Sequence, residues 1–242
     1  MSDVKRAEPF DLLVYTRCFA TMLGAGMSLI RQLKIVEETF GEPLKSVSTM
    51  LISEVEAGST LSTAMTKRPD VFSRVFAQMV RVGEVGGVLD ETFLQLADLL
   101  EKDWGDASAD QKYRGWLVPA GDQEPSFADA APDDQFRLIS LYFRSLGTML
   151  SAGVPRDAPV LWDTAAGLLP PGPERDALSA IGVKVREAGR LQAEDFRLPF
   201  ISGIALQLAS IGIETDAFPL VCEKIAQLLE YQRKCHLLKN RG

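Results

Sequence analysis

The sequence predicts an all-α protein made of two tandem six-helix bundles joined by a linker rich in Gly, Pro and Asp. Apolar residues recur with the 3.6-residue period of a helix, and the alternation typical of strands is absent. Glycines and prolines interrupt the apolar stripes where helices would end. Three sequence blocks of the first half also recur, in the same order, in the second half, which indicates an internal duplication.

The first half is expected to contain six helices in succession. The first helix stops at Gly24, the second at Gly41 and the third before Gly58. A short fourth helix starts behind Ser59 or Thr60 as N-cap, because hydroxyl side chains accept bonds from free helix amides. The segment VFSRVFAQMVRV forms the fifth helix. The apolar stripes of the first, second, third and sixth helices are Leu12, Tyr15, Phe19 and Met22; Leu29, Leu33, Val36 and Phe40; Leu44, Val47, Leu51 and Val55; and Leu89, Phe93, Leu96 and Leu100.

The repeated blocks set the domain boundaries. TMLGAGMSL (21–29) matches TMLSAGVPR (148–156), VEAGSTLS (55–62) matches VREAGRLQ (185–192), and LADLLE (96–101) matches IAQLLE (225–230). Three matches in one order at nearly equal spacing are not expected by chance. We therefore predict a first helical domain over 8–102, a linker over 103–134, and a second, diverged domain over 135–234.

Composition excludes several function classes. The chain has 242 residues, 46% of them hydrophobic, and a formal net charge of −7, which does not favour nucleic-acid binding. Three cysteines and one histidine predict neither a disulfide framework nor a zinc site. No apolar run is long and uncharged enough to suggest a membrane span, and no signal peptide is evident. From these features we predict a cytoplasmic protein, at most peripheral at the inner membrane.

The first copy resembles the F domain of the inner-membrane platform proteins of type II secretion and type IV pilus systems. The resemblance rests on TMLGAGMSL, VEAGSTLS, PDVF and MVRVGEVGGVLDETFLQLADLLE, and it covers residues 10–102. It implies helical domains that assemble a pilus or pseudopilus and contact the secretion ATPase and inner-membrane components. It also implies that the chain is not an enzyme.

The second copy departs from the family pattern in the turn between its last two helices. SIGIETDAFP stands where the first copy has RVGEVGGVLD, so the Gly-Glu-x-Gly-Gly turn is predicted to be lost there. The first copy, which keeps the fuller pattern, is therefore expected to carry the main contact surface.

The glycine-rich turn of the first copy, RVGEVGGVLDETF (81–93), admits three interpretations. A phosphate loop is excluded, because it would need a preceding strand and a Gly-Lys-Ser/Thr ending. A structural turn is favoured: Gly83 ends one helix in a conformation that β-carbons resist, and Gly86 with Gly87 permits the reversal. Glu84 would then pair with an N-terminal helix amide. The third hypothesis is a weak calcium site of Glu84 and Asp90, with carboxylate oxygens as ligands; no other cofactor is predicted.

The resulting functional hypothesis is a non-enzymatic scaffold of a secretion or pilus machine. Its partners would be the secretion or pilus ATPase and inner-membrane assembly proteins, with a homodimer as a further arrangement and no nucleic acid. The alternative hypothesis is a soluble regulatory or adaptor protein that reuses the same fold for another partner. No assembled set of nucleophile, base and acid supports an enzyme.

Overall fold

A computed structural model describes residues 9–106, 117 and 125–239. Within these residues, all regular secondary structure is helical, with eleven α-helices, one 3-10 helix and no strand. The all-α prediction is therefore confirmed. The chain divides into two compact units, Met1–Gln123 and Glu124–Gly242.

The first unit contains six α-helices over its described residues. Their bounds are α1 Pro9–Gly24, α2 Leu29–Thr39, α3 Leu44–Glu56, α4 Leu61–Met65, α5 Arg74–Gly86 and α6 Leu89–Asp106. The first helix packs against the last, α2 packs against α3, and α5 packs against both α4 and α6. The apolar stripes predicted from the sequence face this interior, because burying them removes apolar surface from water.

An aromatic cluster forms the centre of the first unit. Tyr15 and Phe19 of α1 stack at 4.9 Å between ring centroids, and Phe19 stacks on Phe93 of α6 at 5.2 Å. Phe76 of α5 meets Phe93 edge-on at 6.4 Å. Aromatic pairs at such distances stabilise a core beyond the area that they bury. The cluster thus connects α1, α5 and α6, the helices that position the glycine-rich turn.

The second unit repeats this order of packing with a different fourth element. Its helices are α7 Pro132–Ser151, α8 Pro159–Ala166, α9 Pro173–Ala188, a 3-10 helix Ala193–Phe196, α10 Gly203–Glu214 and α11 Phe218–Lys239. The first helix again packs against the last, α8 packs against α9, and α10 packs against the 3-10 helix and α11. A 3-10 helix thus occupies the place of the short α-helix α4 of the first unit.

Equivalent helix ends have the same geometry in the two units. Gly26 follows α1 with φ 74°, and Gly153 follows α7 with φ 90°. Each donates its amide hydrogen three residues back, to Leu23 O at 2.8 Å and to Leu150 O at 3.0 Å respectively. Glycine adopts this left-handed conformation without a steric penalty, which explains why the TML-x-AG block ends a helix in both halves.

The helices extend into the predicted linker from both sides. The last helix of the first unit continues to Asp106, and the first helix of the second unit begins at Pro132, where proline suits the first helical position. Most of the predicted linker 103–134 lies outside the described residues. The last helix of the second unit also continues beyond the predicted boundary at residue 234, to Lys239.

Candidate functional site: the Glu84 turn

The turn between α5 and α6 reverses the chain within two residues. The first helix of this hairpin continues through Gly83 and ends at Gly86, and the next residue, Gly87, adopts the left-handed conformation with φ 69°. The Val88 amide then donates to Gly83 O at 2.9 Å. The prediction that Gly83 itself ends the helix with a positive φ is therefore wrong. The left-handed residue that closes a helix lies outside its last turn, and here that residue is Gly87.

Gly83 instead permits a close contact between the two helices. A β-carbon placed on it would lie 2.7 Å from Thr92 Oγ1 and 3.1 Å from the α-carbon of Leu89. Distances of this kind are shorter than carbon–oxygen and carbon–carbon van der Waals contacts allow. The absence of a side chain at Gly83 thus sets the separation of α5 and α6 at the turn.

Glu84 connects α5 to the start of α4. Its Oε1 accepts the Leu61 amide hydrogen at 2.6 Å and the Ser62 amide hydrogen at 3.3 Å, and its Oε2 accepts the Ser62 hydroxyl. The first amides of a helix have no partner within the helix, so an acceptor from elsewhere must satisfy them. Thr60 is the N-cap residue, and its Oγ1 accepts the Thr63 amide hydrogen at 3.2 Å. Glu84 and Thr60 together therefore cap this short helix.

The partners of Glu84 could not be identified from the turn alone. An N-terminal helix amide was predicted as its partner, but Glu84 follows Ser62 by 22 positions in the chain. One signal does exist in the sequence: Glu84 is the single acidic residue of α5. A lone carboxylate in an otherwise apolar and basic helix suggests a tertiary partner, although it does not say which one.

Asp90 takes no part in the hydrogen bonds between Glu84 and the start of α4. It is exposed and, with Glu91, occupies the first turn of α6, where the helix dipole favours negative charge. Within the described part of the chain, no group of three or more His, Cys, Asp or Glu side chains could hold a metal ion. Both carboxylate oxygens of Glu84 already accept protein hydrogen bonds. The calcium site of Glu84 and Asp90 stays the less favoured hypothesis.

A second polar contact joins α1 to α6. Arg17 of α1 donates to Asp98 at 2.8 Å and to Glu101 of α6, whose nearest oxygen lies 2.6 Å away. Hydrogen bonding to Asp98 and then to Glu101 raises the pKa of Arg17. This pairing was not predicted, although all three residues lie in the repeated blocks or beside them. It adds a surface contact to the buried aromatic packing of α1 against α6.

The second unit keeps the turn but not the carboxylate. Gly212 stands in the place of Gly83, and a β-carbon on it would lie 2.7 Å from the β-carbon of Val221. Asp216 takes the left-handed position of Gly87 with φ 53°. The reversal of the chain is therefore kept, although the Gly-Glu-x-Gly-Gly sequence is absent. Asp tolerates the left-handed region better than most residues, so the glycine is not required.

Ile213 replaces Glu84 in the second unit, and the fourth element is capped locally instead. There the Asp195 side chain accepts the Gln192 amide hydrogen at 2.9 Å within the 3-10 helix. Among the described residues, a carboxylate therefore connects the fourth and fifth elements in the first unit and not in the second.

Comparison with known proteins finds relatives of the first unit. The family model described as type II secretion system protein F matches residues 15–114. The type IV pilus assembly protein PilC of Myxococcus xanthus is 42% identical over 93 residues, which are 38% of this chain and 22% of the relative. The type II secretion system protein F of Xanthomonas campestris is 36% identical over 104 residues, 40% of this chain and 25% of the relative.

A third relative gives the same result. PilC of Thermus thermophilus is 38% identical over 94 residues, 38% of this chain and 23% of the relative. The chain thus spans about a quarter of the length of the curated relatives that it matches. The matched region contains all six helices of the first unit except the start of α1. The names of the relatives describe pilus assembly and secretion, which agrees with the prediction that the chain is not an enzyme.

The prediction of a cytoplasmic location is wrong. The match is to a family of inner-membrane platform proteins. The prediction rested on the absence of a long apolar run, and such an absence does not fix where a protein resides. Among the described residues, no helix combines the length and the apolar character needed to cross a bilayer.

The motif blocks of α1 to α6 and the pilus and secretion relatives agree on one assignment. Residues 15–114 of this chain are similar to the type II secretion system protein F family.

Proposed function

We propose that this chain is a non-enzymatic assembly component of a type II secretion or type IV pilus-like system. It would act through protein–protein contacts with the secretion ATPase and with inner-membrane components. The observation that carries the proposal is the family match over the first unit, where the helices, the Glu84 cap and the Arg17 ion pairs form one compact body. A rigid body of this kind can present a surface without any reacting group.

The contact surface is assigned to the first unit, and α2 offers the clearest part of it. Leu33 and Val36 anchor this helix in the core, whereas Arg31, Lys34 and Glu38 are exposed. Arg31 and Lys34 lie one turn apart and project from the same side, because residues three apart are neighbours on a helix. An exposed basic pair on an otherwise acidic chain can steer an acidic partner surface.

Binding to the ATPase tests this assignment. The full chain is titrated with the purified secretion or pilus ATPase of the same organism, and the dissociation constant is compared with that of Arg31→Glu/Lys34→Glu. We expect the variant to bind at least about tenfold more weakly, which corresponds to about 1.4 kcal/mol. Lys184→Glu/Arg186→Glu on exposed positions of α9 makes the same change in net charge and should bind like the unmodified chain.

Three results would contradict the proposal. The unmodified chain could fail to bind the ATPase, or the α9 variant could lose as much affinity as the α2 variant. Genes for a secretion ATPase and for pilins could also be missing from the neighbourhood of this gene, which would favour the adaptor hypothesis. Light scattering at several concentrations tests the proposed homodimer separately, since a dimer adds mass at high concentration.

We also propose that the second unit is a diverged copy of the first. The same order of helix packing, the left-handed Gly26 and Gly153, and the close glycine contacts at Gly83 and Gly212 support it. Tyr15 and Tyr142 are buried in the first helix of each unit, and Arg17 and Arg144 each bind an acidic residue of the last helix. The second unit would then present a different surface on the same scaffold.

A further inference from the structure

The outward side of α11 carries a continuous exposed stripe. Its members, which we call the α11 stripe, follow one another at helical spacings of three or four residues and are Leu220, Lys224, Gln227, Tyr231, Lys234 and Leu238. Leu220 is 62% exposed, Tyr231 67% and Leu238 62%. The buried residues of the same helix lie on other sides of it, and the last of them is Leu229. Three large apolar side chains thus remain exposed on the same side of one helix, together with two lysines.

The α11 stripe contains two ammonium groups and no carboxylate. The acids beside it are both paired, Glu223 with Arg144 at 3.5 Å and Glu230 with Arg233 at 3.4 Å. Neither Lys224 nor Lys234 has a carboxylate partner in the described part of the chain, and Lys224 donates only to the Gln227 amide oxygen at 3.5 Å. From residue 231 to the last residue the sequence contains no acid. The surface is therefore locally basic on a chain of net charge −7.

The first unit does not share this surface. In the alignment of LADLLE with IAQLLE, the first four stripe positions correspond to Glu91, Gln95, Asp98 and Lys102 of α6. Two of these are acids, and Asp98 is bound by Arg17. The second unit thus has leucine and glutamine in place of two carboxylates, lysine in place of Gln95 and tyrosine in place of Lys102. The equivalent side of α6 is therefore neither basic nor apolar, so packing of the last helix does not explain the character of the α11 stripe.

We propose that the α11 stripe binds the surface of an anionic phospholipid bilayer. Lysine ammonium groups bind lipid phosphates, and the leucines enter the boundary between headgroups and acyl chains. Tyrosine is enriched at that boundary because its ring is apolar and its hydroxyl is polar. From Leu220 to Leu238 the stripe extends about 27 Å at 1.5 Å per residue, long enough to lie along a bilayer.

Charge argues against a second copy of α11 as the occupant. Pairing the stripe with itself would bring ammonium groups together without a carboxylate to neutralise them, which disfavours association. The proposal goes beyond the assembly role and does not depend on it, because lipid binding is measured without the ATPase.

Vesicle flotation with the full chain tests the proposal. The vesicles are an equimolar mixture of phosphatidylglycerol and phosphatidylcholine, with pure phosphatidylcholine as reference. We expect binding to the anionic vesicles that weakens as salt is added. Lys224→Gln/Lys234→Gln should lower the partition coefficient about 25-fold, since each lysine near an anionic surface contributes about fivefold. Leu220→Ser/Leu238→Ser should weaken binding to the same vesicles as well.

Matched variants on other exposed positions serve as controls. Lys184→Gln/Arg186→Gln removes the same charge from α9, and Val183→Ser/Ile204→Ser removes exposed apolar side chains from α9 and α10. Both should bind vesicles like the unmodified chain. All substituted residues are exposed, so circular dichroism should show unchanged folding in every variant.

Several results would overturn the proposal. These are no binding of the unmodified chain to the anionic vesicles, equal binding to pure phosphatidylcholine, or an equal loss in the α9 charge variant. Self-association without vesicles that is lost in the stripe variants would assign the surface to a second copy. Binding of the ATPase by the unmodified chain but not by the stripe variants, with no vesicle binding, would assign it to a protein.

Discussion

Replacing Gly83 by alanine should destabilise the first unit even though alanine is the better helix former. The new β-carbon would lie 2.7 Å from Thr92 Oγ1 and 2.9 Å from the β-carbon of Thr92. The first distance is about 0.7 Å short of ordinary contact, so α5 and α6 must separate or Thr92 must move. Neither is easy, because Gly83 and Thr92 are both buried and Leu89 Cα also lies 3.1 Å from the new atom.

The expected magnitude follows from two opposing terms. Overpacking of a well-packed core costs about 1–3 kcal/mol. Alanine in place of glycine within a helix gains up to about 1 kcal/mol. We therefore expect the free energy of unfolding to fall by about 1–2 kcal/mol, measured by urea unfolding of the full chain followed by circular dichroism.

Two further variants isolate the cause. Gly24→Ala at the end of α1 places its β-carbon where no heavy atom lies within 4 Å, and it should be neutral or slightly stabilising. Thr92→Ala removes Oγ1 but leaves the β-carbon, so it should restore part of the loss when combined with Gly83→Ala. If Gly83→Ala unfolds at the same urea concentration as Gly24→Ala, the close approach of α5 and α6 is refuted.

Three other predictions concern Glu84, calcium and Cys222. Glu84→Ala should lower the free energy of unfolding by about 1–3 kcal/mol, because it leaves the Leu61 amide and the Ser62 amide and hydroxyl without their acceptor. In the same urea titration, Glu84→Gln should lower it less, and Glu38→Ala, at an exposed position, should leave it almost unchanged. Calcium should leave the melting temperature of the full chain unchanged in calorimetry, since both Glu84 oxygens accept protein hydrogen bonds; a rise that disappears in Glu84→Ala/Asp90→Ala would establish the calcium site instead. Burial raises the pKa of the Cys222 thiol far above its ordinary value, so native protein should expose only Cys18 and Cys235 to a thiol reagent at neutral pH, and rapid reaction of all three would contradict the burial of Cys222.

The local pattern determined the fold class and most helix ends. The apolar stripes of α1, α2, α3 and α6 are periodic over several turns, and period is a property of the chain that tertiary packing rarely overturns when it is this regular. The repeated block around Gly26 and Gly153 likewise carries its own conformation, because glycine alone enters the left-handed region at no cost. Ser59 or Thr60 was predicted as the N-cap of the short fourth helix, and the structure places Thr60 there, with its hydroxyl accepting the Thr63 amide hydrogen.

Only the tertiary structure decided what the residues of the turn do. Gly83 and Gly87 are both glycines of one turn, but they have different roles. Gly83 allows α6 to approach α5 closely, and Gly87 adopts a left-handed backbone conformation. Glu84 finds its donors on α4, and no local rule specifies a partner 22 residues away. The second unit shows the same limit, since it keeps the turn with Asp216 after the glycine motif has gone. Sequence period fixes which face of a helix is buried, whereas the partner of a polar group depends on how separate helices meet in space.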